Sequence, residues 1–309
     1  MPELIVAGQR WSVAAQTNLL DALNAQGLAV PYSCRAGSCH ACLVQCLQGE
    51  PEDFNPTALE PAKREQGWRL ACQCRVVADL AVAVFDPRKD GVGAQVLGCD
   101  WLSPGVLRLR LASERPLRYQ VGQHLVLWTA SGVARPYSLA SLPQEDEFLE
   151  FHLDCRQPGA FSDVARQLTV GSPLRLGELS GGALHYDPDW QQRPLWLLAA
   201  GTGLAPLWGV LREALRQAHQ GPIQVVHVAH EHYLAEPLRA LAACHPQIHV
   251  QLLSPEQAPS ALATWRLQSR QTIAQVCGSP ASVEHFSRRL YLMGLPRNQL
   301  LADMFVERR

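Results

Sequence analysis

Leu195-Trp196-Leu197-Leu198-Ala199-Ala200-Gly201-Thr202-Gly203-Leu204-Ala205-Pro206 is the stretch on which the fold of this 309-residue chain turns. Six apolar residues form one buried strand, two glycines around a threonine form a tight loop, and Leu-Ala-Pro begins a helix. The wider apolar run, 194–210, is broken by those glycines and by Pro206, so it predicts strand, loop and helix and not a membrane span. Downstream, residues 223–228, 248–253 and 272–276 read as further buried strands, with helices over 207–218, 234–243 and 282–292. Strand and helix alternating in this way predict an α/β doubly wound parallel sheet over residues 191–309.

Upstream the rhythm changes. Short strand-like runs at 106–111, 124–129, 136–139, 148–153 and 174–176 are separated by turn residues, with a single helix near 163–168. That spacing predicts a small antiparallel β-barrel over residues 91–190. Asp86-Pro87-Arg88-Lys89-Asp90-Gly91 is polar and rich in turn formers, the best linker in the chain. Residues 1–90 form a third unit, so the chain reads as multidomain. That unit opens with a hairpin at 4–7 and 11–14, then a helix capped by Thr17 with Leu19, Leu20 and Leu23 facing inward. Strands follow at 43–47, 69–74 and 80–85, which makes an α+β unit.

Hydrophobic residues make up 47% and the formal net charge is -1, with no segment a polycation. The composition builds a core and gives no reason to expect nucleic acid as a partner. Met1-Pro2-Glu3-Leu4 lacks the basic start of a signal peptide, so the chain is expected to be cytoplasmic. Its 10 cysteines are then expected to be reduced, and their spacing is read for metal before disulfides.

Cys34, Cys39 and Cys42 stand as Cys-x4-Cys-x2-Cys, with Cys72 and Cys74 far downstream. One long and one short spacing followed by a distant thiol is the ligand pattern of plant-type 2Fe–2S clusters. Arg35-Ala36-Gly37-Ser38 supplies a loop small enough to wrap two irons and turn amides toward sulfur. The competing readings are a zinc site or plain buried thiols, and zinc sites more often show two paired short spacings. The fourth ligand is a choice between Cys72 and Cys74, while Cys46, Cys99, Cys155 and Cys244 read as small core residues.

Four motifs then carry a resemblance. Arg135-Pro136-Tyr137-Ser138 resembles the Arg-x-Tyr-Ser flavin motif of the ferredoxin–NADP reductase superfamily. Pro158-Gly159-Ala160-Phe161-Ser162 resembles its phosphate loop. Gly201-Thr202-Gly203-Leu204-Ala205-Pro206 resembles its Gly-Thr-Gly-x-x-Pro turn, and Cys277-Gly278-Ser279-Pro280 its Cys-Gly-x-Pro. Leu70-Ala71-Cys72-Gln73 is similar to the last-ligand segment of bacterial ferredoxins, which implies Cys72 over Cys74. In order, the motifs resemble the single-chain reductase components of bacterial oxygenases, with a β-grasp ferredoxin unit first.

The resemblance implies a 2Fe–2S cluster on Cys34, Cys39, Cys42 and Cys72, and FAD on the barrel. Arg135 would pair with flavin phosphate, Tyr137 would stack on the ring, and Ser138 would donate to N5. Gly159 and Ser162 would meet the pyrophosphate, although the same residues also read as a helix simply capped by Ser162. NADH, with NADPH as a second possibility, would lie on Gly201, Thr202, Gly203 and Pro206, its nicotinamide beside Cys277 and Gly278. A core Tyr beside a surface Arg, and a buried thiol at a strand end, are the plain alternatives for Tyr137 and Cys277. The expected partner is an acceptor protein, such as an oxygenase or desaturase, docking at 35–40. The rival functions are a flavin or quinone reductase, and a metal-binding sensor module. Ser180-Gly181-Gly182 departs from the family's Gly-Pro-x-Gly, and the segment 227–232 lacks its usual Arg.

Overall fold

The computed structural model describes residues 1–306. A hairpin of β1 (Glu3–Val6) and β2 (Gln9–Ser12) turns through Ala7 and Gly8, both at positive φ. Next, β3 (Thr17–Asn18) runs into α1 (Leu19–Ala25), which buries Leu19, Leu20, Ala22 and Leu23. The cap of α1 is Asn18, not Thr17: the Asn18 side chain accepts from Asp21 N, while the Thr17 hydroxyl donates to Ala14 O. Then come β4 (Leu43–Gln48), β5 (Glu52–Asp53), α2 (Pro61–Glu65), β6 (Trp68–Leu70), β7 (Cys74–Val76) and β8 (Leu80–Val84). The main sheet is ordered β2-β1-β8-β4-β6, with β1 parallel to β8 and the other pairs antiparallel. With α1 packed on it, this is a β-grasp unit. The extended run expected over 69–74 is interrupted by a 3-10 turn, Ala71–Gln73. Ala71 N donates to Cys42 O and Asn18 Nδ2 to Cys72 O, so the turn swings Cys72 toward the first three thiols.

The middle unit contains β9 (Val92–Ser103), β10 (Val106–Ser113), β11 (Gln123–Trp128), β12 (Ala134–Ser138), β13 (Leu149–Asp154), α3 (Ala160–Ala165) and β14 (Pro173–Gly181). All its pairings are antiparallel, in the order β12-β11-β14-β9-β10-β13. A bridge between Leu139 and Phe151 joins the two ends of that sheet and closes the barrel. Leu109, Leu111, Leu125, Leu127 and Phe151 fill it. Each such side chain contributes roughly 1.5–3 kcal/mol by leaving water.

The last unit runs β15 (Leu195–Ala200), α4 (Leu204–Arg216), β16 (Ile223–Val228), α5 (Ala235–Cys244), β17 (Ile248–Leu253), α6 (Ala258–Thr264), β18 (Ile273–Gly278), α7 (Pro280–Leu292) and β19 (Leu300–Met304). The sheet is all parallel, ordered β17-β16-β15-β18-β19. Alternation along β15 serves two cores. Leu197 packs in the cluster that includes α4, and Leu198 in the cluster that includes α7. Helices on both faces are what a doubly wound sheet requires, and the strand order reverses between β15 and β18.

The units are fastened to one another. Phe85 stacks on Trp128 with ring centroids 5.7 Å apart, and Val126, Trp128 and Ala134 of the barrel join the β-grasp core. Lys63 Nζ lies 2.9 Å from Glu178 Oε2. Segment 86–91 is a hydrogen-bonded turn: Asp86 N donates to Asp90 Oδ2 and Arg88 N to Asp86 Oδ1. On the other side, Arg212 of α4 grips Asp146 with both terminal guanidinium nitrogens, at 2.6 and 2.9 Å.

Candidate functional site

The thiol loop is made of conformations a strand or helix does not use. Arg35 and His40 both have φ 52°, and Gly37 has φ 83°. A Cβ on Gly37 would stand 3.2 Å from Asn55 Nδ2 and 3.3 Å from Ala58 Cβ, so the loop folds tightly onto the 55–58 turn. Ala36 N and Cys39 N each donate to Cys34 Sγ at 3.3 Å, and Gln73 Nε2 donates to Cys72 Sγ at 3.3 Å. The four thiols come together as two hydrogen-bonded pairs, Cys34 with Cys39 and Cys42 with Cys72. The bond from Cys39 brings Cys34 down to about 4, against the opposing effect of burial, while Cys39 is pushed up by the same bond. Likewise the bond from Cys42 lowers Cys72 to about 7, and Cys42 is raised.

This donor set fits a 2Fe–2S group: four soft thiols, two per iron, with amides already aimed at sulfur. Among the described residues no three His, Cys, Asp or Glu side chains surround a single ion position. Cys74 lies outside the set: it is fully buried, and burial raises its thiol. Cys46 and Cys99 are half-buried and Cys155 is buried. Cys244 corrects the expectation of a core residue, because it is exposed at the end of α5.

On the barrel, Arg135, Tyr137 and Ser138 lie along β12. Ser138 is buried, whereas Arg135 and Tyr137 are half-buried. The Tyr137 ring rests on Phe161 of α3, centroids 4.9 Å apart, which brings the motif strand against the start of that helix. The cap of α3 is Gly159, so the alternative with Ser162 as cap does not hold. Ser162 is inside the first turn and its hydroxyl donates to Gln157 O and Gly159 O, closing the loop that Gly159 ends. First-turn amides of a helix lack intrahelical partners and suit a phosphate.

In the parallel sheet, the glycine turn sits at the strand-order reversal. Gly201 has φ 55°, and a Cβ there would project toward Arg156 Nη2 at 3.7 Å. Gly203 lies so close to β18 that a Cβ would fall 2.3 Å from the Cys277 carbonyl oxygen. Pro206 is buried in the first turn of α4, where a missing amide costs nothing. Cys277 is fully buried, with Ala199 across one ladder and Asp303 across the other. Gly278 has φ 148°, a backbone that L side chains rarely adopt.

Several site residues carried no motif. Arg156, paired with Asp154, lines a cleft of about 80 Å³ with Thr202, His230 and Glu231. His227 does not face that cleft. It is fully buried, and its Nε2 lies 3.0 Å from the Gly201 carbonyl oxygen, which holds the glycine turn. Burial lowers His227 to about 4, leaving it neutral. Arg239 pairs with Glu236 on the surface of α5. Asp303 belongs to β19, a strand whose half-buried pattern gave no signal.

Three family models match in order. Residues 4–77 match the 2Fe-2S iron-sulfur cluster binding domain, 102–185 the oxidoreductase FAD-binding domain, and 197–288 the oxidoreductase NAD-binding domain. The reductase subunit of an Amycolatopsis aromatic O-demethylase is 32% identical over 90% of this chain and 91% of its own. The chain belongs to the ferredoxin-fused reductase family. It is an oxidoreductase, with a 2Fe–2S cluster, FAD and NAD(H) as its cofactors. The reductase is also 28% identical to the ferredoxin–NAD(P)+ reductase component of a Ralstonia naphthalene 1,2-dioxygenase/salicylate 5-hydroxylase system, over 98% of each chain. A crystal structure of the Amycolatopsis cytochrome P450 reductase GcoB superimposes with a TM-score of 0.66 at 26% identity, covering 99% of both chains. No helix among the described residues is long and apolar enough to cross a membrane.

Proposed function

We propose that this reductase takes electrons from NADH and delivers them singly, through the thiol loop, to an oxygenase or similar acceptor protein in the cytoplasm. The units divide at 1–90, 91–190 and 191–309. The observation that carries the reading is convergence. Ser138 on β12 has His124 across the ladder, and the His124 ring bonds the backbone of Ser38 and Cys39 in the thiol loop. Asp303, the register partner of Cys277, acts on the same ring through its charge.

Bound FAD supplies the conversion of hydride chemistry into single-electron chemistry, and the cluster carries the electrons outward. Cys34, Cys39, Cys42 and Cys72 hold the two irons. Arg135 pairs with flavin phosphate, Tyr137 stacks on the ring, Ser138 donates to N5, and the loop at Gly159 and Ser162 receives the pyrophosphate. Gly201, Thr202 and Gly203 admit the nucleotide's pyrophosphate, with Pro206 fixing the helix start behind them. Cys277 and Gly278 shape the wall against which the nicotinamide lies. NADH is favoured over NADPH because Glu231 at the cleft rim repels a 2′-phosphate and accepts from a ribose diol. Arg35 and Ala36 are exposed on the thiol loop, and that face meets the acceptor. The oxygenase systems named for the relatives support an acceptor of that class.

Anaerobic addition of NADH to the purified holoprotein tests the reading. Both the flavin and the cluster absorption should bleach, with NADPH markedly slower. Bleaching of the flavin alone would favour a flavin or quinone reductase. No bleaching at all would favour a sensor module.

A further inference from the structure

One imidazole joins the barrel to the thiol loop. His124 lies on β11, with Ser138 across one ladder and Ser180 across the other. Ser180 Oγ is 2.8 Å from His124 Nε2. The ring also hydrogen-bonds the backbone of Ser38 and Cys39 in the thiol loop, and the Asp303 charge acts on it from β19. Gly181 is needed beside it, since a Cβ there would stand 3.0 Å from Nδ1. A second seam runs alongside: Ser33 Oγ donates to Val306 O at 2.5 Å, and Phe305 N donates to Gly278 O at 2.8 Å.

Burying an imidazole costs free energy unless its nitrogens find partners, and these partners come from different units. Covering the same area with a leucine would be cheaper. What an apolar residue would not provide is a fixed, bonded connection between the Ser138 strand and the thiol loop. Electron transfer falls steeply with distance and is faster through bonds and hydrogen bonds than across gaps. A residue that locks this separation therefore acts on the rate of the transfer.

We propose that His124 is a positioning residue for electron transfer, tying the thiol loop at Ser38 and Cys39 to the flavin-bearing strands through Ser180. The proposal rests on the placement of cluster and FAD given above. In each transfer one electron leaves the reduced flavin and one ferric ion of the cluster becomes ferrous. The ferrous ion passes its electron to the acceptor protein before the second transfer, after which the flavin has also released one proton to solvent. His124 itself is neither oxidised nor reduced.

The test uses the full holoprotein in anaerobic stopped-flow with NADH, following flavin and cluster absorption separately. His124→Ala should leave flavin reduction within about twofold of wild type and slow cluster reduction by roughly ten- to a hundredfold, the scale of a small misplacement. His124→Gln keeps a hydrogen-bonding side chain and should recover part of the rate. Hydrogen exchange at the amides of 36–40 should quicken in His124→Ala, a readout independent of turnover. Cluster reduction at the wild-type rate in His124→Ala would overturn the proposal, as would equal slowing of flavin reduction. Should His124→Ala fail to fold, Ser180→Ala decides, because it removes one hydroxyl, and a wild-type rate there is equally fatal. If NADH fails to bleach the flavin of the wild-type protein, it is the parent reading that fails.

Discussion

The thiol loop and the glycine turn are both tight bends beside a redox group, and they are built in opposite ways. In the first, side chains do the holding. Four thiols are gathered in pairs, and the backbone is bent into left-handed conformations at Arg35, Gly37 and His40 to let them meet. In the second, the backbone does the holding. Gly203 presses on the Cys277 carbonyl, an approach of two backbones that exists because a side chain is missing. The first site should therefore fail when a side-chain atom is changed, and the second when one is added.

The largest effect is expected at the first site. Cys72→Ser should abolish the cluster spectrum and the bound iron, because a hydroxyl replaces one of four soft ligands. Cys74→Ser, two residues away, should keep the cluster and cost stability only, roughly 1–3 kcal/mol for a buried polar group. Iron content and visible absorption check both, and the reverse outcome would reassign the fourth ligand. At the second site, Gly203→Ala should cut NADH-driven flavin reduction by about a hundredfold while leaving the cluster spectrum intact, since a misplaced turn disturbs donor alignment. Single-turnover rates give the answer, and an undiminished rate would break the contrast. Cys277→Ala adds nothing and removes only a buried sulfur, so hydride transfer should slow by about tenfold, an effect checked with ferricyanide as acceptor. The smallest change belongs to Glu231→Gln. Loss of one rim carboxylate should raise kcat/KM for NADPH by a few-fold, in line with an exposed charge contact of about 1 kcal/mol.

Where function needs a local pattern, the sequence was readable. Strand, glycine turn and helix around Gly201 are contiguous, so their period and punctuation predicted β15 and α4 within a few residues. The cysteine spacing did the same for the loop. Contacts made across long separations left no such trace. Leu300–Met304 adds the fifth strand of the parallel sheet, but its residues are half-buried or exposed and show no apolar alternation. Val92–Ser103 is the longest strand of the barrel, and Gly93, Gly98 and Asp100 interrupt any apolar run through it. His124 sits in an otherwise apolar stretch, where one polar residue reads as incidental, and its partners at Ser38 and Ser180 lie far off in the chain. The extended run expected through Cys72 had the right composition for a strand. It bends because Cys72 must reach Cys42, a demand visible only once the loop is folded.

The central claim is that electrons reach a protein acceptor through the cluster and not from the flavin directly. The most direct measurement compares two acceptors in wild type and in the cluster-free Cys72→Ser chain, with NADH as donor. Ferricyanide is small enough to draw on the flavin, so its reduction should persist in the variant. Cytochrome c should lose nearly all its rate, because the exposed thiol loop is its point of entry. Cytochrome c reduction that survives undiminished without the cluster would contradict the account.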